Sequence, residues 1–174
     1  LADPMSAGKY HAYPHDGIGL VRLEFIMENV TRMHPRLVCE EERLLHLPSE
    51  ELEVLSEMIA GYPNITDYFV SKLADGITAL AAMVHPHPAV VRFSDFKSNE
   101  YRGLFGGKFF EPHEENPMLG FRGASRYYHP DYRKAFHLEC RAIKIVREER
   151  GMKNVKVMVP FCRTPVEAER VLQE

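Results

Sequence analysis

The sequence predicts an α/β fold with a parallel sheet, and two observations support this. Four apolar stretches with the character of buried strands occur at residues 17–25, 89–94, 118–122 and 154–161. Helical patterns separate most of them, and strands that alternate with helices usually pair in parallel. The 174 residues, 45% of them hydrophobic, fit one globular domain, which we place at residues 1–174.

The helical patterns between these strands carry their own start signals. The stretch after the first strand reads as helical and ends near the letters "MHP". Ser49 is expected to cap the next helix and Thr66 the one after it, where apolar residues recur at spacings of three and four. A long helix is predicted at residues 130–150. In the last helix, Thr164 is the predicted N-cap and Glu167 completes a capping box.

One long connection, residues 95–117, shows neither a helix nor a strand pattern. It is polar and contains glycines, and loops of this length without structure of their own are usually functional. The acidic stretch "EPHEEN" at residues 111–116 lies within it. We expect that stretch to be a solvated loop rather than a metal site.

Composition excludes several classes of function. A net charge of −3, with basic residues scattered along the chain, gives no support for binding nucleic acid or an anionic membrane. No apolar run approaches the roughly 18 residues of a membrane span. The three cysteines form no CxxC pair, and reduced thiols in a cytoplasmic protein are the expected state. The histidines are dispersed, so no metal site is predicted.

Three predicted strands carry an arginine near their carboxyl end: Arg22 in "GLVR", Arg92 in "AVVR" and Arg122 in "MLGFR". In (β/α) folds the carboxyl ends of the strands build the ligand site, so these side chains are expected to converge on one small anion. The guanidinium fork binds phosphate or carboxylate in bidentate fashion. The alternative is that each arginine pairs with a carboxylate of the protein itself, for which Glu24, Asp95 and Glu100 are candidates. Arg163, after the fourth strand, is a weaker candidate for the site.

Four segments resemble one known family. The stretches "DGIGLVRLEFIM", "VVRFSDFKSNEY", "ENPMLGFRGASRY" and "VKVMVPFCRT" are similar, in order and over essentially the whole chain, to the phosphoenolpyruvate-binding domain of the phosphoenolpyruvate synthases. Pyruvate phosphate dikinase and enzyme I of the sugar phosphotransferase system share "GIGL-R-EF" and "NP-LG-R". They typically carry a "GGDK"-like stretch where this chain has "SDFKSNEY", which makes them the alternative.

The resemblance implies a specific chemistry. The family makes phosphoenolpyruvate from pyruvate, ATP and water, releasing AMP and phosphate, through a phosphohistidine on a separate domain. Its last domain is a (β/α)8 barrel that binds pyruvate and Mg²⁺, and its members are commonly dimers. The chain is therefore expected to be a partial TIM-type barrel, with about the first four strands and their helices. Arg22 and Arg92 match the family's substrate-binding arginines, and Arg122 matches the arginine that lines the same pocket.

The resemblance also indicates which parts of the chemistry this chain does not carry. The family's Mg²⁺ ligands and its proton-donating cysteine belong to later segments, and Cys162 does not match that cysteine. We therefore expect no catalytic or metal-binding residue in these 174 residues, and no synthase activity from them alone. Its expected partners are pyruvate or phosphoenolpyruvate, the ATP and phosphohistidine domains of the same protein, and a second copy. A paralogue that only binds phosphorylated ligands is the alternative from another class.

Overall fold

A three-stranded parallel sheet lies at the centre of the fold. The computed structural model describes residues 3–115, 118 and 120–174. Among them the sheet has the order β1-β2-β3, and its strands are β1 (Ile18–Arg22), β2 (Ala89–Arg92) and β3 (Val155–Met158). Both pairings are parallel, so the α/β prediction with a parallel sheet is confirmed.

Helices and short helical turns connect and cover the strands. The α-helices are α1 (Ala7–Tyr10), α2 (Leu23–Ile26), α3 (Pro35–Cys39), α4 (Ser49–Ile59), α5 (Ile65–Met83), α6 (Ser98–Gly103), α7 (Ala124–Tyr127), α8 (Arg133–Lys144) and α9 (Pro165–Gln173). One π-turn extends α2 over Met27–Thr31 and another extends α8 over Ile145–Glu149. Both α5 and α8 place buried apolar faces in the core that covers the sheet. Within the described part of the chain, no helix is both long enough and apolar enough to cross a membrane.

The predicted strand at residues 118–122 is wrong. Leu119 lies outside the described residues, while Met118, Gly120 and Phe121 form a turn and bends, and Met118 is 55% exposed. The carbonyl oxygen of Phe121 accepts hydrogen bonds from Nε and Nη2 of Arg126, at 3.1 and 2.9 Å. A side chain thus takes the bond that a neighbouring strand would supply to Phe121, and the described residues of this segment lie outside the sheet. The predicted fourth strand is therefore β3.

The connection between β2 and α7 contains more structure than its sequence indicated. It contains α6 and a 3₁₀ turn at Gly107–Phe109. Glu111, which was expected in a solvated acidic loop, is only 5% exposed, and its carboxylate pairs with Arg126 and His34. The prediction of a solvated loop is therefore wrong at its first residue, and Asn116 lies outside the described residues.

The helix caps agree with the sequence at one helix and differ at two. Thr164 caps α9 by accepting a hydrogen bond from the N–H of Glu167 at 3.2 Å, as predicted. The Glu167 carboxylate bonds the N–H of Arg163 at 2.6 Å. The cap of α5 is Asn64, whose side chain accepts from the N–H of Asp67 at 2.8 Å, rather than Thr66. Ser49 is the first residue of α4, and the N-cap position is Pro48, so the predicted Ser49 cap is wrong.

Replacing Asn64 by alanine is expected to lower the free energy of unfolding by about 1 kcal/mol, because the first turn of α5 loses its side-chain acceptor. Thr66→Ala is the matched control in the same turn and is expected to have a clearly smaller effect. Thermal unfolding of the two variants measures the difference. A Thr66→Ala variant as unstable as Asn64→Ala would contradict the assignment of the cap.

Candidate anion-binding site

The site begins at the carboxyl ends of two neighbouring strands. Arg22 is the last residue of β1 and Arg92 the last residue of β2, and the two are paired in the register of the parallel ladder. Parallel strands bring their carboxyl ends to the same edge of the sheet, where α/β proteins bind ligands. The two strand-end arginines that the sequence singled out therefore lie side by side.

A cavity of about 1000 Å³ opens at this edge. Arg22, Arg92 and Arg122 all line it, so the structure brings the three predicted site residues together even though Arg122 is not on a strand. The cavity wall includes five basic and five acidic side chains: Arg22, Arg32, Arg92, Lys97, Arg122, Glu24, Glu28, Glu57, Asp95 and Glu100. Because these formal charges balance, anion binding here depends on where individual guanidinium groups lie rather than on the net charge of the wall.

Arg122 reaches the cavity from the loop that replaces the predicted third strand. Its Nε and Nη2 donate to the two carboxylate oxygens of Asp95 at 2.8 and 3.1 Å, and its guanidinium lies 4.6 Å from the centre of the Phe161 ring. The loop turns at Gly123, where φ is +64° and a Cβ atom would lie 2.7 Å from the carbonyl oxygen of Pro160. Only glycine fits that turn, and it delivers the chain from Arg122 into α7.

Asp95 joins two of the three arginines. Its carboxylate side chain is 0% exposed, and it binds Arg92 Nη1 at 3.2 Å as well as Arg122. Arg92 also pairs with Glu24. Arg92 and Arg122 therefore pair with the protein's own carboxylates, as the alternative interpretation of the sequence expected. Their partners, Glu24 and Asp95, are two of the candidates that it named.

Arg22 differs from the other two arginines. No described carboxylate pairs with it, and its guanidinium lies 4.0 Å above the ring of Phe25 while the side chain stays exposed. Arg92 also keeps a spare donor, because its Nε is buried and has no partner among the described residues. Both residues line the polar cavity, and the exposed guanidinium of Arg22 has donors free to bind an anion there.

Burial changes the protonation of the acidic groups around the arginines. Burial raises the pKa of Glu24, although the guanidinium of Arg92 opposes that effect. Hydrogen bonds to Asp95 raise the pKa of Arg122 further above its already high value. The guanidinium of Arg122 is therefore held in its charged form.

A second ion pair lies behind Arg122 and is fully buried. Arg126 is 1% exposed and donates to both oxygens of Glu111, at 2.5 and 2.9 Å, while its guanidinium packs 4.1 Å from the Tyr101 ring. His34 Nε2 lies 3.0 Å from the same carboxylate. Burial alone would raise the pKa of Glu111, but the hydrogen bonds from Arg126 and His34 lower it to about 2. Because Arg126 also binds the Phe121 carbonyl, this pair fixes the loop that carries Arg122.

Sequence reasoning missed several residues of this site. Arg32 and Lys97 line the cavity but follow no strand, so the strand-end pattern could not select them. Arg126 and Glu111 were overlooked because a buried charge has no local signature; only the aromatic residues around it, Phe121 and Tyr101, hint at burial.

Two of the cysteines are partly buried thiols, and the described carboxylates form no metal-binding group. Burial raises the pKa of Cys39 to about 11 and that of Cys140 to about 12, so both remain thiols near neutral pH. In residues 3–115, 118 and 120–174 no group of three or more His, Cys, Asp or Glu side chains could hold a metal ion. Glu24 and Asp95 are already bound by arginines. The described residues therefore offer no ligand set for Mg²⁺.

Comparison with known proteins gives consistent matches over the whole chain. The sequence model of the family described as PEP-utilising enzyme, PEP-binding domain, matches residues 1–174. The phosphoenolpyruvate synthase of Synechocystis sp. is 50% identical over 175 residues, covering 100% of this chain and 21% of the relative. Those of Pseudomonas aeruginosa and Deinococcus radiodurans are 48% and 47% identical, each over 99% of this chain and 22% of the relative. The chain thus spans about one fifth of the length of these curated relatives.

Proposed function

Because the chain belongs to the PEP-binding domain family of the PEP-utilising enzymes, we propose that it is the substrate-binding part of a phosphoenolpyruvate synthase. That enzyme would convert pyruvate, ATP and water to phosphoenolpyruvate, AMP and phosphate through a phosphohistidine. In it, Arg22, Arg92 and Arg122 bind the phosphate and carboxylate of the substrate. One observation carries the proposal: three arginines from three separate segments line a single cavity at the carboxyl edge of a parallel sheet.

The chemistry of phosphoryl transfer suits such a cavity. Negative charge spreads over the equatorial oxygens of the phosphoryl group in the transition state, and fixed positive groups stabilise it. Arg22, which has no carboxylate partner among the described residues, can give both of its outer nitrogens to an anion. Arg92 and Arg122 line the same cavity, and Asp95 holds both guanidinium groups in place before the substrate arrives. Groups that are already oriented need little reorganisation when the charge develops.

We also propose that the sheet is the first part of a (β/α)8 barrel. A barrel of this type has eight parallel strands with the ligand site at their carboxyl ends, and the three strands observed have that direction and order. Val157 and Met158 of the edge strand β3 are 49% and 44% exposed, as expected of a strand that another part of a larger protein covers. The Mg²⁺ ligands, the ATP and phosphohistidine domains and the homodimer belong to the same proposal, as do the cytoplasmic location and the single domain at residues 1–174.

Replacing Arg22 by alanine in the full-length protein is expected to lower kcat/KM for pyruvate at least about tenfold, because the substrate loses a charged hydrogen-bond donor of the protein. Thermal unfolding is expected to change little, since Arg22 is exposed and has no carboxylate partner within the described residues. Lysine should restore the activity only in part, because it keeps the charge and loses the planar fork.

Arg163→Ala is the matched control for Arg22→Ala. Arg163 is also exposed and its guanidinium lies 5.8 Å from the Phe161 ring, but it is not among the residues that line the cavity. It is expected to keep normal kinetics. Titration with phosphoenolpyruvate in a calorimeter tests binding separately from turnover. Equal kcat/KM for Arg22→Ala and the unmodified protein would refute the substrate role of Arg22.

A further inference from the structure

Ser94, just beyond the strand end at Arg92, is held by hydrogen bonds to each of its polar groups. Ser94 comes two residues after β2 and is 1% exposed. Its main-chain N–H and its hydroxyl both donate to Glu139, at 3.0 and 2.5 Å, and its carbonyl oxygen accepts from the hydroxyl of Tyr127 at 2.7 Å. Every polar group of Ser94 therefore has a partner in the interior of the protein.

Glu139 lies on α8, 45 residues further along the chain, and is 0% exposed. Among the described residues, Glu139 contacts one further hydrogen-bonding group besides Ser94, the hydroxyl of Tyr132 at 3.5 Å, and that hydroxyl donates to Tyr101 at 3.0 Å. Burial raises the pKa of Glu139 to about 7. Removing the carboxylate would leave the buried N–H of Ser94 without its acceptor, so Glu139 determines the position of the main chain at Ser94.

That geometry passes directly to the arginines. Asp95 is the next residue after Ser94, and its side chain, 0% exposed, binds both Arg92 and Arg122. If the main chain at Ser94 moved, the Asp95 carboxylate would move with it. Both guanidinium groups would then lose the orientation in which they line the cavity.

We propose that Glu139 is a positioning residue that fixes the Ser94–Asp95 segment and, through Asp95, orients Arg92 and Arg122 in the cavity. The inference rests on the proposed function, because it assigns Glu139 a part in substrate binding. It adds a residue on α8 that does not touch the cavity to the three arginines that line it.

The first test is Glu139→Gln in the full-length protein. The amide keeps the shape of the side chain but provides one acceptor where the carboxylate provides two, so either the N–H or the hydroxyl of Ser94 loses its partner. We expect kcat/KM for pyruvate to fall roughly ten- to a hundredfold, since small misplacements of binding groups are costly. The control is a variant of Ile77, which is buried on α5 and does not line the cavity. Ile77→Val and Ile77→Ala are both made, and the one whose unfolding temperature is closer to that of Glu139→Gln serves as the control. It is expected to keep normal kinetics.

The second test is coupling to Asp95. In an Asp95→Ala protein the link from the Ser94–Asp95 segment to the arginines is already broken, so Glu139→Gln should lower phosphoenolpyruvate affinity by less than about twofold further. Should Glu139→Gln fold poorly, Tyr127→Phe removes only the hydroxyl that holds the Ser94 carbonyl and is expected to lower kcat/KM several-fold. Normal kcat/KM in a destabilised Glu139→Gln or Tyr127→Phe protein, or an undiminished effect in the Asp95→Ala background, would overturn the proposal.

The three arginine variants, measured alongside, separate failure of the proposed function from failure of this inference. Normal kinetics in Arg22→Ala, Arg92→Ala and Arg122→Ala contradict the proposed function and this inference together. Impaired kinetics in Arg92→Ala and Arg122→Ala beside normal kinetics in Glu139→Gln contradict the inference alone.

Discussion

Replacing Arg126 by methionine is expected to lower the free energy of unfolding by about 3–5 kcal/mol, the usual cost of removing one partner of a buried ion pair. Methionine keeps much of the apolar volume that packs against Tyr101 and Phe121, so the loss comes mainly from Glu111. That carboxylate would keep His34 as a partner but lose two hydrogen bonds from a guanidinium at 2.5 and 2.9 Å, in a place where it is 5% exposed. Urea unfolding of the variant measures the effect.

A double substitution distinguishes loss of the pair from loss of packing. In Arg126→Met combined with Glu111→Gln, no uncompensated charge remains, so most of the lost stability should return. A double variant as unstable as the sum of the two single variants would show that the charges do not interact. The same experiment reports on the loop that carries Arg122, because Arg126 also holds the Phe121 carbonyl.

The dependence on pH gives an independent check of the pair. The folded-state pKa of Glu111 is lowered from the usual 4.5 to about 2, so its contribution to stability is present above about pH 4.5 and is lost as the pH falls toward 2. The stability difference between the unmodified protein and Arg126→Met should therefore be largest near neutral pH and narrow below about pH 4.5. A difference that stays constant down to pH 3 would mean that Glu111 is not the group left unpaired.

Local sequence patterns predicted the elements that local physics determines. Strands β1, β2 and β3 are recognisable because each is an apolar run with turn residues around it. Thr164 was recognisable as a cap from its position before a proline. The segment with Phe121 has the same apolar character, but its carbonyl bonds Arg126 and not a strand. Asn64 and Thr66 are both suitable caps, and only the backbone geometry at the start of α5 selects Asn64. Such choices depend on contacts between distant residues, which a single sequence does not display.

The candidate site shows the same division. Arg22 and Arg92 could be located because a strand end is a local feature and parallel strands share an edge. Arg122 was also expected in the site, but because it was assigned to the end of a strand. It lines the cavity from a loop instead, so the prediction of its place was right and the reason for it was wrong. The hydrogen bond from Arg122 to Asp95 joins residues 27 positions apart, and the bond from Ser94 to Glu139 joins residues 45 positions apart. Neither has a periodicity or motif that could have indicated it.

The largest loss of activity is expected for Arg92→Ala, at roughly a hundredfold or more in kcat/KM for pyruvate, with Arg122→Ala close to it. Each substitution removes from the protein a charged group that donates hydrogen bonds to the substrate. That loss alone accounts for a decrease in kcat/KM of about ten- to over a hundredfold. Arg92 has a further effect, because it touches both Glu24 and Asp95, so its loss also releases the carboxylate that orients Arg122. Steady-state kinetics of the full-length variants measure the loss.

Thermal unfolding of the same variants separates a substrate role from a structural one. Arg92→Ala and Arg122→Ala should both lower the unfolding temperature, because Asp95, at 0% exposed, keeps only one of its two arginines in each. Arg22→Ala leaves no carboxylate without its partner among the described residues, so this variant should lose activity without losing stability. If the arginines only stabilise the scaffold, the order reverses: Arg92→Ala and Arg122→Ala would be less stable with unchanged kcat/KM in the folded fraction, and Arg22→Ala would be normal in both measurements. The pattern across the three variants therefore decides between phosphoryl binding and scaffold pairing, since a single variant that loses both activity and stability fits either.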